Sequence, residues 1–479
     1  MEAVRKPLLL LWRRRLAVAG GWSRCRTACD DEGVVATPAS HCQYPTRNAS
    51  NRKSQRSTHN PQRSPHKCDI LSYIMKTIKV LLVGAALALA GCASVNSPKD
   101  SGTSYMADAV APWVESGELP GAISILYNDG VQETACIGYA NAETKRKISL
   151  DDVYMQCSQT KGFCGVTVAI LVEEGKLNLD DPVSKYLPEF KDLWVLESET
   201  NGVRRVRKAK STLTVRMAMN HTGGFSFELP SYTAMGGWSR RMPLRSVAAM
   251  AAAIPLQFDP GTKVRYSNVG IDIGAAVVEV VSGKRWEDFL KERVLDPLGM
   301  DSTGFWPTDR QLENKIELYN INKDAPASWC LQAPAMQRPY NDDRVFPSAG
   351  AGIWTTARDQ VKFYKMLMNL GVGENGVRIL KEETVKSILA KSTRPAGFEG
   401  YSLGLKAPEK DSDDQWFGHG GAWSTNCMVN WHKRQLKLWA VQELGSPRPW
   451  INARDKAQDS FFKTKIDNSG ADAYTGRMN

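Results

Sequence analysis

Apolar positions along this chain fall into two spacings, and they locate most of its elements. Helical spacing predicts a helix from about Tyr105 to Glu118. Two apolar runs follow, Ala122–Tyr127 and Val131–Tyr139, separated by Asn128-Asp129-Gly130. An Asx-Gly pair between such runs is the strongest short-range hairpin signal. A further apolar run, Val166–Val172, carries a helix to Gly175, a glycine suited to the left-handed C′ position. Residues 176–345 are mixed, with short helical patterns at 213–220, 244–254 and 269–281 between irregular stretches. Regularity returns when Thr355-Thr356 cap a helix running to about Gly371. Strands are expected at Trp416–Gly421, Asn426–Trp431 and Leu436–Gln442, the last two joined by His432-Lys433-Arg434-Gln435. No internal repeat is present. Sheet and helix at both ends with a helical middle predict one composite α/β unit carrying a mostly helical insertion at about 180–345.

The front of the chain follows another pattern. Residues 1–74 are rich in Arg, Ser, Asn, Gln and Pro, and such a composition cannot bury a core. A disordered leader is expected there, one that is not translated if synthesis starts at Met75. The alternative is a genuine basic arm or transit segment. Met75-Lys76-Thr77-Ile78-Lys79 reads as a basic n-region, and Val80–Ala90 as an apolar h-region too short to span a bilayer. Signal-peptide residues 75–91 end in Leu89-Ala90-Gly91, directly before Cys92. Residues 93–102 read as a tether and 461–479 as a polar tail, which leaves 103–460 for the main domain.

Charge and cysteine counts change the picture only once they are located. The 479-residue chain carries a net charge of +11, but residues 1–74 hold thirteen Lys/Arg against five Asp/Glu. Lys76 and Lys79 add two more positive charges, so the chain from residue 80 onward is left near neutral. A nucleic-acid partner is therefore not expected. Five of ten cysteines, Cys136, Cys157, Cys164, Cys330 and Cys427, lie in the body without a C-x-x-C pair, which excludes a disulfide framework and a zinc site. The body has three histidines, His221, His419 and His432, none at ligand spacing, and no metal or cofactor is expected.

Three short motifs carry candidate chemistry. Ser158-Gln159-Thr160-Lys161 is S-x-x-K. If a helix begins near Ser158, Lys161 lies on the same face one turn on. A serine needs a neighbouring base, and a helix start offers free N–H groups to developing negative charge. Tyr266-Ser267-Asn268 follows a Pro-Gly turn; in an extended segment Tyr266 and Asn268 point the same way. A tyrosine can relay protons when a nearby cation lowers its pKa. Gly418-His419-Gly420-Gly421-Ala422 places glycines inside a predicted strand, the mark of close backbone approach.

In that order, S-x-x-K, Y-x-N and a [K/H]-x-G strand resemble the signature of the serine β-lactamase and penicillin-binding-protein superfamily, most of all its class C-like serine hydrolases. Leu171–Val183, His221-Thr222-Gly223-Gly224, Leu295–Met300 and Ser348–Gly352 fit the same pattern. The resemblance implies an α/β fold of the α+β sandwich type, an antiparallel sheet flanked by helices. It implies Ser158 as the acylated nucleophile, with Lys161 and Tyr266 as the proton-relay pair. Asn268, His419, Gly420, Gly421 and Ala422 become substrate-binding positions, and the Ser158 and Ala422 N–H groups an oxyanion hole. His419 stands where a Lys is usual, so the cationic anchor for a β-lactam carboxylate is missing. Ester or D-amino-acid peptide hydrolysis is the leading expectation. A β-lactamase and a non-catalytic penicillin-binding relative are the alternatives. Leu89–Cys92 resembles a bacterial lipobox, which implies a lipid on Cys92 and a membrane-anchored envelope protein facing the periplasm, with outer-membrane retention suggested by Ala93-Ser94.

Overall fold

The structure, a computed structural model, describes residues 104–229, 242–320, 330–331, 346–398, 400–410, 412–444 and 448–463. Expectations for the leader, the signal segment, Cys92, the tether and residues 464–479 lie outside the described residues. The chain divides into two compact units, Met1–Val95 and Asn96–Asn479, and every described residue belongs to the second.

Its main elements, in chain order, are helix α1 (Tyr105–Glu115), strands β1 (Gly121–Asn128), β2 (Val131–Asn141) and β3 (Arg146–Lys147), helix α2 (Thr160–Glu173), helix α3 (Asn268–Ser282), helix α4 (Ala357–Met368), strands β4 (Phe417–Gly420), β5 (Asn426–Asn430) and β6 (Gln435–Ala440), and helix α5 (Ile451–Lys463). The six strands form one antiparallel sheet in the order β4-β5-β6-β1-β2-β3. The hairpin forms as the Asx-Gly pair predicts: Asn128 opposes Val131, and Asp129 and Gly130 both have positive φ. β1 then zips to β6, from Ile123 opposite Ala440 to Asn128 opposite Gln435, which joins the two ends of the domain in mid-sheet.

Each face of the sheet is covered, which explains why β1 is buried almost throughout. On one face Met106, Val110, Trp450 and Phe461 of α1, α5 and their flanks pack on Leu126 and Trp439. The other face meets the larger core built around α2 and α4, where Phe163 and Phe363 stack with centroids 3.8 Å apart. Helix α2 is buried from Thr160 to Leu171. Its end follows expectation: the N–H groups of Gly175 and Lys176 bond back to Val172 and Leu171 carbonyls, a paired C-terminal closure around a left-handed glycine.

Between α2 and α4 the helical patterns appear as Val215–Met219, Leu244–Ala252 and α3. A two-stranded ribbon there, Trp194–Thr200 against Val203–Lys208, is absent from the reading by apolar spacing. Most of its side chains are exposed, so it carries no apolar alternation. Its signal was the turn Asn201-Gly202, whose φ values are 51° and 78°.

Gly165 is where α2 touches the chain beyond α4. A β-carbon there would lie 1.9 Å from the Leu403 carbonyl oxygen. Backbone cannot yield as a flexible side chain does, so Gly165→Ala is expected to lower unfolding stability by about 1–3 kcal/mol or more. Urea denaturation measures it, and a variant as stable as the parent would rule out this contact.

Candidate active site

The site forms where the first turn of α2 meets the start of α3, the loop before α4 and the edge strand β4. A 3-10 turn over Cys157–Gln159 precedes α2, so Ser158 stands just ahead of the α-helix rather than within it. Lys161 is on its first turn, and the i, i+3 spacing survives: Lys161 Nζ is 3.1 Å from Ser158 Oγ. Cys157, directly before the serine, has φ 51°, a left-handed conformation that costs a non-glycine residue about 1–3 kcal/mol and concentrates at functional sites.

Lys161 is fully buried and surrounded by acceptors. Besides Ser158, its Nζ lies 2.6 Å from Asn268 Oδ1 and 2.6 Å from the Gly350 carbonyl. Burial pulls its pKa down to about 7, with the Asp272 carboxylate opposing that shift. Asp272 lies one turn beyond Asn268 on α3 and accepts bonds from Gly350 N–H at 3.1 Å and Ser348 Oγ at 3.3 Å. It therefore aims the Gly350 carbonyl at the lysine. A β-carbon on Gly350 would come within 2.8 Å of Asn268 side-chain atoms, so only glycine allows the approach. Asp272 escaped the sequence reading; a lone acid in the apolar stretch Val269–Val278 was the signal available.

Tyr266 and Asn268 both lie beside Lys161, but not on the extended segment that their spacing implies. Ser267 is the N-cap of α3, its hydroxyl accepting from Gly270 N–H, and Asn268 is the first helical residue. Lys161 Nζ stands 4.7 Å from the Tyr266 ring centroid. The expected lowering of the Tyr266 pKa is corrected here: burial pushes it up from the usual phenol value, only partly offset by a hydrogen bond with Ser158. Asn268 Nδ2 donates to Glu228 Oε1 at 3.1 Å.

His419, on β4, is buried rather than a surface residue. Burial and the Lys161 charge hold its pKa down at about 3, so the ring is neutral. Its Nδ1 lies 2.5 Å from the Gly420 carbonyl, which can only accept, so Nδ1 carries the proton and Nε2 is the acceptor. Tyr401 Oη lies 2.8 Å from that Nε2 and Tyr266 Oη 3.5 Å. His221 packs its ring 4.6 Å from Tyr266 and 4.9 Å from Tyr401 and is kept neutral by burial. Neither Tyr401 nor the role of His221 was visible from motif spacing.

The glycine-rich end of β4 presses on the serine turn. A β-carbon on Gly421 would lie 2.5 Å from the Gln156 carbonyl oxygen, the close approach that the glycines predicted. The Ala422 and Trp423 N–H groups bear on the Cys157 thiol, so the Ala422 donor sits beside the nucleophile's neighbour. Gly420 has more room than Gly421, its nearest contact being the Thr425 carbonyl at 3.5 Å. Cys136, Cys157, Cys164 and Cys427 are all free thiols. Among the described residues no group of three or more His, Cys, Asp or Glu is placed to hold a metal, and no helix is long and apolar enough to cross a membrane.

Protein Rv1367c of Mycobacterium tuberculosis is 28% identical over 281 residues, 57% of this chain and 68% of its own length. The unliganded Simvastatin Synthase (LovD) from Aspergillus terreus shares 20% identity at a TM-score of 0.62, over 75% of this chain and 98% of the other. EstCE1, a hydrolase with promiscuous acyltransferase activity, gives 20% identity and a TM-score of 0.58 over 75% and 97%. At that identity the two structures establish a common fold. Residues 106–435, a span that includes every residue of the site, match the family model described as Beta-lactamase, and the chain belongs to the Beta-lactamase family.

Proposed function

We propose that the protein is a serine hydrolase working through an acyl-enzyme on Ser158, with esters or D-amino-acid peptides as its leading substrates. The surroundings of Lys161 Nζ carry this reading. A neutral amine has two N–H bonds and one lone pair. Two of its three neighbours, Asn268 Oδ1 and the Gly350 carbonyl, can only accept, so they take the two N–H bonds. The lone pair is left for the third, the Ser158 hydroxyl at 3.1 Å. That is the arrangement of a general base beside its nucleophile.

In the proposed sequence Lys161 takes the Ser158 proton as Oγ attacks the substrate carbonyl. The Ser158 and Ala422 N–H groups hold the resulting oxyanion, each such donor contributing about 3–4 kcal/mol by precedent. Tyr266, a neutral phenol, passes its proton to the leaving group and is resupplied by the Lys161 ammonium. Water then attacks the acyl-enzyme by the reverse route. Asn268 orients Lys161, and the Gly420–Ala422 edge lies along the bound substrate. Neutral His419 supports ester or amide substrates over β-lactams, because an acceptor nitrogen cannot anchor a carboxylate. Acyl transfer to an acceptor other than water is the same chemistry, and EstCE1, which shares this fold, is a hydrolase with promiscuous acyltransferase activity. The signal at 75–91 and a lipid on Cys92 remain part of the proposal, which places the enzyme on the periplasmic side of a bacterial membrane.

Ser158→Ala is expected to reduce p-nitrophenyl ester turnover by about 10⁴-fold or more. The parent enzyme should prefer that ester to benzylpenicillin by about 100-fold or more in kcat/KM. Intact mass after penicillin exposure reads the same site, and a rapid, Ser158-dependent, persistent adduct would reverse the preference.

The base must be neutral to act, so kcat/KM should rise with pH through about 7, the Lys161 value, and fall on the acid side as the ammonium forms. A pH–rate profile flat from roughly pH 5 to pH 9 would remove Lys161 as base. Metabolic labelling with a radiolabelled fatty acid should tag the full-length protein in a bacterial host, and Cys92→Ser should abolish the tag. Retention of residues 1–74 in the mature protein would refute the anchor.

A further inference from the structure

Two phenols converge on one lone pair. His419 Nε2 has a single acceptor position, since its Nδ1 proton is committed to the Gly420 carbonyl. Tyr401 Oη approaches it at 2.8 Å, a full hydrogen bond. Tyr266 Oη stands 3.5 Å away, at the limit of such a bond, while it also interacts with Ser158. Both hydroxyls must be donors here, because the nitrogen can only accept. Whichever phenol takes Nε2 frees the other.

The fold commits Tyr401 to that nitrogen. Its ring is buried between the His221 ring, 4.9 Å away, and the Arg394 guanidinium, 4.4 Å over its face. Its backbone is held from two sides. The Tyr401 N–H donates to Ser392 Oγ at 3.2 Å, and the Thr393 N–H to the Tyr401 carbonyl at 2.8 Å. Tyr401 also bridges to Lys406, and Lys406 exchanges two backbone bonds with Gly418, the neighbour of His419. At its bend, Gly404 lies so close to the Lys161 carbonyl that a β-carbon would sit 2.4 Å from it. One short hairpin, residues 401–406, therefore ties the lysine turn to the strand that carries His419.

We propose that Tyr401 is a positioning residue for acyl transfer: its hydroxyl occupies the lone pair of His419 Nε2 and so keeps the Tyr266 hydroxyl on Ser158 and the leaving group. The inference rests on the catalytic reading above. Without the Tyr401 hydroxyl, Nε2 is a buried acceptor with no donor, and Tyr266 is the nearest group that can satisfy it. Tyr266 then needs to move by less than 1 Å to make a full bond to His419, away from the serine. Displacements of that size cost about 10-fold to 100-fold in rate.

The test is a double-mutant cycle of Tyr401→Phe and Tyr266→Phe, read as kcat and KM for p-nitrophenyl butyrate, with melting temperatures and Ser158→Ala alongside. Both changes keep the ring and remove one oxygen. Tyr401→Phe should lower kcat by about 10-fold to 100-fold with KM within about twofold. The double variant should be no slower than Tyr266→Phe alone, because the hydroxyl that Tyr401 guards is already gone. Losses that multiply, or a Tyr401→Phe enzyme with unchanged kcat, overturn the proposal while leaving Ser158 catalysis intact. Turnover that survives Ser158→Ala overturns the catalytic reading and this inference with it.

Discussion

A lysine with no exposed surface governs the rest of this structure. Burying an ammonium is expensive, and Lys161 meets that cost by losing its proton readily and by hydrogen bonding to an amide oxygen, a backbone carbonyl and a hydroxyl. Each partner comes from a different part of the chain. Asn268 opens α3, Gly350 lies in the loop before α4, and Ser158 sits in the turn before α2. Bringing them within 3.1 Å of one nitrogen requires the helices to pack closely, and the glycines at 165 and 350 are where that closeness is visible.

Asp272 adds a second layer. It fixes the Gly350 loop and opposes the burial effect on Lys161. The lysine is thus held near the pH at which it can exchange a proton, instead of being neutral at all physiological pH. Tyr266 differs: its burial is offset only in part, by the Ser158 hydrogen bond, so it stays a phenol that can donate or relay a proton.

The β4 side of the site is chemically milder than its motif position would suggest. His419 is neutral, its tautomer set by the carbonyl of the next residue, and its free nitrogen faces two tyrosines. A cationic side chain there would favour substrates with a carboxylate; an acceptor favours neutral ones. The proposed preference for esters or amides follows from that difference.

The sequence by itself determined the family, the order of the motifs and most of the regular elements. Ser158 and Lys161 share a turn because i, i+3 geometry is local, and the hairpin at 128–131 forms because an Asx-Gly pair encodes its own turn. Local signals also carried the capped helix after Thr356 and the glycine-marked end of α2. Other features were decided only by contacts between distant segments. The exposed ribbon at 194–208 has no apolar face to announce it. The pKa of Tyr266 moved opposite to expectation because desolvation depends on everything packed around the ring. Asp272 and Tyr401 lie in none of the three site motifs and gain their roles from partners 78 and 18 residues away. Burial and long-range hydrogen bonds have no period along a chain, so only the tertiary structure could reveal them.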